Sequence, residues 1–264
     1  MLRDVDDDLL RARTLVDGAK SIVVVSGAGI STDSGIPDFR GPEGVWTKDP
    51  SAEMLSDFDT WISQPAIRVA AWQSRLSSPY WNAQPNDGHR ALVTLQRRGT
   101  LRAIITQNID RLHHAAGSDP SSIIEIHGNG HEYVCLRCND RGPIGSILDR
   151  VRAGELDPTC DRPINEHRCN GVIKSATISF GQSLVPADLA RAEAAAARAD
   201  LVLAVGSTLS VYPAAGVVPL AKANGAGVVI VNGSPTAMDD LADLVLRGDI
   251  SQLLTTLVGR GGDS

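Results

Sequence analysis

Three groups of residues have the types and spacing that chemistry needs. The first is Ser26-Gly27-Ala28-Gly29-Ile30-Ser31, continuing through Ser34-Gly35-Ile36-Pro37-Asp38-Phe39-Arg40. A Gly-x-Gly turn after a strand lets backbone N–H groups approach a phosphate, and a helix opening there adds its dipole. The extension sets a carboxylate, an aromatic ring and a guanidinium side by side, in a loop that Pro37 and Gly41-Pro42 keep out of regular structure. The dinucleotide fingerprint is incomplete. Thr32 stands where a third glycine belongs, and no acid ends a second strand about 20 residues on. These residues predict phosphate binding and argue against a hydride-transferring dehydrogenase.

The second group is the four cysteines. Cys135-x-x-Cys138 has the spacing of a zinc knuckle, whereas eight residues separate Cys160 from Cys169, more than the usual two to four. Four-thiolate tetrahedral zinc is the expectation, with His167 as an alternative to Cys160; packed thiols without metal are the bland reading. Four thiolates leave no open position for water, so such a zinc is structural. A redox pair fits less well, because Cys135-x-x-Cys138 does not sit at a strand–helix junction. The third group is His127, which ends the apolar run Ile123–Ile126 and precedes Gly128. Its position suits either a general base, with a pKa near neutrality, or a structural histidine. His113 and His114 follow Asn108-Ile109-Asp110 on an expected helix and suit supporting or surface roles.

These residues need strands to position them. A helix is predicted over 9–19 and a strand over 21–25, whose β-branched run Ile22-Val23-Val24-Val25 suits burial on both faces. Strand-like runs recur at 101–105, 123–126, 201–205, 228–231 and 244–246, and 188–198 is an alanine-rich helix former. This alternation predicts an α/β fold, a Rossmann-like doubly wound parallel sheet that binds ligands outside the carboxyl ends of its strands. Polar or glycine-rich turns stand there: Gln107-Asn108-Ile109-Asp110, His127-Gly128, Gly206-Ser207-Thr208 and Asn232-Gly233-Ser234. Two segments break the rhythm. Residues 41–87 hold all four tryptophans and read as a helical insert with its own small core. Residues 131–175 hold all four cysteines and too little apolar sequence to fold without a staple. The expected division is a large domain of 1–40, 88–130 and 176–258, a smaller one of 41–87 with 131–175, and a disordered tail at 259–264.

The chain has 264 residues, of which 42% are apolar, enough for a real core. A net charge of −6 supplies no global basic field, so direct nucleic-acid binding is not expected. The acidic start, Met1-Leu2-Arg3-Asp4-Val5-Asp6-Asp7-Asp8, is unlike a signal peptide. No apolar run reaches the roughly 18–20 residues of a membrane span. A soluble, cytoplasmic protein is expected, its cysteines serving a metal instead of disulfides.

Taken together, these residues resemble the sirtuins, the NAD-dependent protein deacylases, over about residues 15–258. The motifs are Gly-Ala-Gly-Ile-Ser (27–31), Gly-Ile-Pro-Asp-Phe-Arg (35–40), Thr-Gln-Asn-Ile-Asp (106–110), His127-Gly128, Cys135-x-x-Cys138, Ser179-Phe180-Gly181 and Gly206-Ser207-Thr208. The resemblance implies a Rossmann-like domain and a smaller zinc-bearing domain, with NAD and an acyl-lysine peptide meeting between them. It implies a pyrophosphate cradle at Gly27, Ala28 and Gly29, phosphate contact by Arg40, and a ribose shield at Phe39. Asn108, Ile109 and Asp110 would hold the carboxamide end, with Asn108 and His127 catalytic and His127 the base for a ribose hydroxyl. Ser207, Thr208, Asn232 and the turn Gly248-Asp249-Ile250 would hold the adenosine half. Ser31, Asp38, Gln107, Gly206, Gly233 and Ser234 complete the implied NAD-binding set; Cys135, Cys138, Cys160 and Cys169 would bind one zinc. Ile178-Ser179-Phe180-Gly181 looks like an edge for the substrate peptide. The implied products are nicotinamide, free lysine and O-acyl-ADP-ribose.

The chain departs from the family pattern at Gln182, where many members have glutamate, in the wide Cys160–Cys169 spacing, and at Trp72-Gln73-Ser74-Arg75. Members preferring acidic acyl groups carry Tyr-x-x-Arg at the last of these. Here Trp72 is expected in the core and Arg75 in water, so acetyl is the expected acyl group. Desuccinylation or demalonylation, and mono-ADP-ribosyl transfer in the same pocket, are the alternatives.

Overall fold

Alternation of β-branched runs with helices builds a parallel sheet around the chain's first strand. The structure, a computed structural model, describes residues 2–41 and 43–259; Pro42 and residues 260–264 of the expected tail lie outside this range. Strands β1 (Ile22–Ser26), β2 (Leu101–Thr106), β3 (Ile123–Glu125), β9 (Leu201–Val205), β10 (Gly227–Val231) and β11 (Leu244–Leu246) lie in the order β11-β10-β9-β1-β2-β3. All their pairings are parallel. Helices α1 (Leu2–Gly18), α5 (Asp87–Arg97) and α10 (Ile250–Val258) cover one face, while α8 (Pro186–Ala196) and α9 (Val217–Ala223) cover the other. Helix α1 starts at Leu2, earlier than the expected residue 9. From β1 the chain builds outward to β2 and β3 on one side and to β9, β10 and β11 on the other. That reversal opens a crevice beyond the carboxyl ends of β1 and β9.

The remaining elements form a smaller body. Helices α2 (Val45–Lys48), α3 (Phe58–Ser63) and α4 (Pro65–Leu76) come from the insert. The cysteine-bearing stretch contributes an antiparallel sheet of β5 (Arg141–Pro143), β4 (Gly128–Cys135) and β8 (Ile173–Thr177), in that order. It also supplies α7 (Gly145–Arg152) and a hairpin of β6 (Pro163–Ile164) with β7 (His167–Arg168). Contrary to the sequence expectation, the core of the insert is, among the described residues, one shared with the cysteine-bearing stretch. Trp61, Ala71 and Trp72 bury against Ile144, Ile147, Leu148, Val151, Ile173 and the cysteines. The two segments thus share one buried cluster. Trp61 and Trp72 meet edge to face at 5.6 Å. Arg68 on α4 ties the halves together: its Nε and Nη2 donate to Asp157 at 2.9 and 2.7 Å, and its Nη1 donates to the Trp61 and Ile62 carbonyls at 2.8 and 3.0 Å.

Candidate active site

The glycine-rich turn after β1 interlocks with the turn after β9. Gly27 N donates to Val205 O at 2.9 Å, and Gly29 N to Gly206 O at 2.8 Å. A Cβ on Gly27 would stand 2.7 Å from Gly206 O, and one on Gly29 2.8 Å from Gly206 Cα. Gly206 itself has φ +63°, and its Cβ would meet Ile30 N at 2.3 Å. The N–H groups of Gly27 and Gly29 are thus engaged within the protein. The glycines' visible task is close packing of two turns, with Ala28 on the cavity wall between them. The chain then enters a seven-residue 3-10 helix, Ala28–Ser34, instead of an α-helix.

The turn after β2 is built on buried side chains. Ser31 Oγ donates to Asp110 Oδ2 at 2.7 Å and accepts from Asn108 Nδ2 at 3.1 Å. Asp110 Oδ1 accepts from Leu112 N at 2.9 Å. Burial pushes the Asp110 carboxyl above its ordinary value, against the opposing pull of the hydrogen bonds from Leu112 and Ser31. His127, just beyond β3, places Nδ1 at 3.3 Å from Gln107 O. In the tautomer that makes this bond Nδ1 donates, which leaves Nε2 as a lone-pair acceptor. Burial holds the imidazole below its usual pKa, only partly offset by the Gln107 bond. His113 is buried beneath the site, 2.9 Å from Ser26 Oγ, and His114 lies 3.8 Å from Glu125.

On the far side, Gln107 Nε2 donates to Ser207 Oγ at 2.9 Å, Thr208 O accepts from Ala237 N at 2.9 Å, and Asn232 Nδ2 donates to Ser234 O at 2.7 Å. The loop after the 3-10 helix is pinned by Asp38, whose Oδ1 accepts from Gly41 N at 2.9 Å. Phe39 leans on Trp46 at 4.7 Å, the Arg40 guanidinium lies 4.6 Å over the same ring, and Trp46 reaches Phe180 at 5.5 Å. Every residue expected to hold NAD, from Gly27 through Ile250, lines one cavity of about 910 Å³, and His127 lines it too. That volume is near the top of the roughly 300–1,000 Å³ typical of cofactor sites.

The four cysteines converge elsewhere. Their sulfurs all lie within 4.8 Å of one another, with Cys135–Cys169 and Cys138–Cys160 pairs at 3.7 Å. Zn–S bonds of about 2.3 Å in a tetrahedron set sulfurs about 3.8 Å apart, so the donor set fits zinc. Cys160 belongs to this cluster, whereas His167 sits exposed on the β6–β7 hairpin outside it. The wide spacing is used up by that hairpin.

A model of the Sir2 family matches residues 27–213. The chain belongs to the Sir2 family. It is 43% identical to NAD-dependent protein deacetylase 2 of Streptomyces coelicolor, over 91% of this chain and 98% of that protein. It is 40% identical to the NAD-dependent protein deacetylase of Rhodopseudomonas palustris, over 93% of this chain and 94% of that one. Among solved structures, a Sir2 variant with a deacetylated p53 peptide and 3'-O-acetyl ADP ribose superposes with TM-score 0.86 at 34% identity, covering 97% and 99% of the two chains. Sir2Tm bound to a propionylated peptide gives 0.83 at 33%, with the same coverage.

In this Sir2 chain the cavity also holds residues that sequence reasoning missed or misplaced. Arg75 does not extend into water. Its Nη2 donates to Ser175 Oγ at 2.8 Å, its Nε is buried without a partner, and it lines the cavity. Beside it, Lys174 is 2% exposed and donates to Thr177 O at 2.5 Å. Burial, helped by the Arg75 charge, brings Lys174 down to about 7. A lysine inside the apolar run Val172-Ile173-Lys174 was the signal for it. Trp72 is in the core as expected, with its indole N–H unpartnered. The expected peptide edge is partly occupied: Phe180 N donates to Ser56 O and Phe180 O accepts from Phe58 N, both at 2.9 Å. Gln182 folds back, its Oε1 accepting from Ser179 N at 3.0 Å. Among the described residues, no helix is long and apolar enough to cross a membrane.

Proposed function

We propose that this chain removes acyl groups, acetyl foremost, from protein lysines at the expense of NAD, giving nicotinamide and O-acyl-ADP-ribose. The observation that carries the reading is the single cavity at the β1–β9 reversal, into which the Asn108–Ser31–Asp110 group, His127 and the interlocked turns at 27–29 and 206–208 all converge. Family membership and relatives named deacetylases point the same way. NAD, when bound, supplies an anomeric carbon activated by the departure of nicotinamide. Asn108 and Asp110 hold its carboxamide end; Ser31 keeps both in place. Ser207, Thr208, Asn232 and Ile250 would hold the adenosine half, Arg40 would contact phosphate, and Phe39 would shield the nicotinamide ribose from water. His127 Nε2 takes a proton from a ribose hydroxyl, and its lowered pKa keeps it neutral and able to do so.

In the same reading, residues 1–40, 88–130 and 176–258 form the NAD-binding domain. Residues 41–87 and 131–175 form the smaller one, stapled by zinc on Cys135, Cys138, Cys160 and Cys169. Its partners are acyl-lysine proteins or peptides, and four cysteines gathered as metal ligands, none of them in a disulfide, suit a reducing, cytoplasmic compartment. Mass spectrometry of acyl-peptides with and without NAD tests the activity. Loss of the acetyl mass only with NAD, matched by O-acetyl-ADP-ribose, is the expected result. ADP-ribose attached to protein with the acetyl group retained points instead to ADP-ribosyl transfer.

One observation favours a second reading, removal of acidic acyl groups. Half-buried Arg75 and buried Lys174 bring two cations to the cavity, and among the described residues no carboxylate pairs with either. A ligand carboxylate would satisfy them with charge-assisted bonds. Matched acetyl- and succinyl-peptides decide. Higher kcat/KM on succinyl, lost selectively in Arg75→Met, replaces the acetyl preference.

A further inference from the structure

Behind the Asn108–Asp110 turn lies an ion-pair cluster that this reading leaves without a task. Arg111 directly follows Asp110 and has φ +60°, the left-handed conformation that a residue with a Cβ disfavours. It precedes α6 (Leu112–Ala115), and its conformation brings Leu112 N onto the Asp110 carboxylate. Glycine or asparagine fits such a position with less strain. An arginine there is explained by what its side chain does.

The guanidinium spans two strands. Nη2 donates to Glu132 Oε1 on β4 at 2.8 Å, and Nε lies 3.5 Å from Glu125 Oε1 at the end of β3. Glu125 is held from its other side by Asn129 Nδ2 at 3.3 Å and faces His114 Nδ1 at 3.8 Å. Arg141 reaches Glu132 more loosely, at 3.9 Å. The Glu125 side chain is 18% exposed, so this pairing is less screened than an ordinary surface one. Glu125 stands two residues before His127, and Arg111 one residue after Asp110. The ionic bridge therefore runs from the turn bearing Asn108 and Asp110 to the strand end bearing His127. Two further bonds cross the same gap: Gly130 N donates to Ile109 O at 2.9 Å, and His131 Nε2 stands 3.0 Å from Asp110 O.

We propose that Arg111 is a positioning residue: bridging Glu125 and Glu132, it fixes the Gln107–Asp110 turn against His127 and so sets where the carboxamide end of NAD sits relative to the base. This rests on the deacylase reading. The test compares Arg111→Gly, which suits the left-handed backbone but removes the bridge, with Arg111→Lys, which keeps a charge. In Arg111→Gly, kcat/KM for NAD should fall between about 10- and 100-fold, while KM for the acetyl-peptide and the melting temperature hold. Arg111→Lys should recover most of the loss. Glu132→Gln should repeat the defect, and it decides the matter if Arg111→Gly fails to fold. Wild-type kcat/KM in Arg111→Gly or in Glu132→Gln overturns the proposal. So does a loss that tracks melting temperature and that lysine does not rescue. A wild-type enzyme that binds NAD but releases no acyl group sinks the functional reading instead. The bridge is then judged by calorimetric NAD affinity, expected to weaken several-fold in Arg111→Gly; equal affinity overturns it.

Discussion

The role proposed for His127 as base rests on two features, the Gln107 carbonyl that claims Nδ1 and the burial of its ring. Replacing it with alanine should lower NAD-dependent turnover by roughly 10²–10⁴-fold, with a small change in NAD affinity, as read by steady-state kinetics beside calorimetry. The pH dependence follows from the sign of the shift. The neutral imidazole is needed, and burial places its pKa below the ordinary 6.5. The acid limb of kcat/KM for NAD should therefore lie below pH 6.5; a limb above that value counts against His127 as the base. Gly206 makes a second prediction. Alanine there faces both φ +63° and a backbone nitrogen at 2.3 Å. Gly206→Ala should cost more than about 1 kcal/mol in denaturant unfolding and separate the interlocked turns after β1 and β9. Residue by residue, the positions of the site were legible because they follow strands whose apolar runs are unmistakable. The fate of Arg75 was not. Its exposure depends on Ser175, distant in sequence, and helix periodicity alone placed it in water.

At the scale of elements, the carboxyl-end turns were readable because a strand buried on both faces ends where polar residues begin. The shared core of the insert and the cysteine-bearing stretch was not readable. Trp61 and Trp72 look like the centre of a local core, and only tertiary structure reveals that Ile144, Ile147 and Val151 complete it. Nor did the glycine motif disclose that its N–H groups serve the β9 turn, since that partner lies far along the chain. The joint depends on Arg68, whose removal leaves Asp157 and two carbonyls without their donor. One-sided loss of a buried pair costs about 3–5 kcal/mol, and Asp157 is partly exposed, so Arg68→Met should fall at the lower end. Urea unfolding followed by tryptophan fluorescence measures it.

For the whole molecule, the cysteines and three tryptophans, Trp61, Trp72 and Trp81, form one structural unit although they come from separate stretches of chain. Zinc removal should therefore be visible far from the metal. Chelation should shift tryptophan emission to the red and lower the melting temperature, and adding zinc back should reverse both. Metal analysis should give about one zinc per chain; an emission spectrum indifferent to chelation would detach the insert from the metal. The sheet order has a consequence during synthesis. Strand β1 sits between β2 and β9, yet β9 leaves the ribosome roughly 175 residues after β1. At translation rates of about 5–20 residues per second, one edge of Ile22–Ser26 waits on the order of ten seconds or more for its partner. A nascent chain with its central strand open for that long depends on factors that shelter unpaired edges, and its yield in the cell should follow their supply.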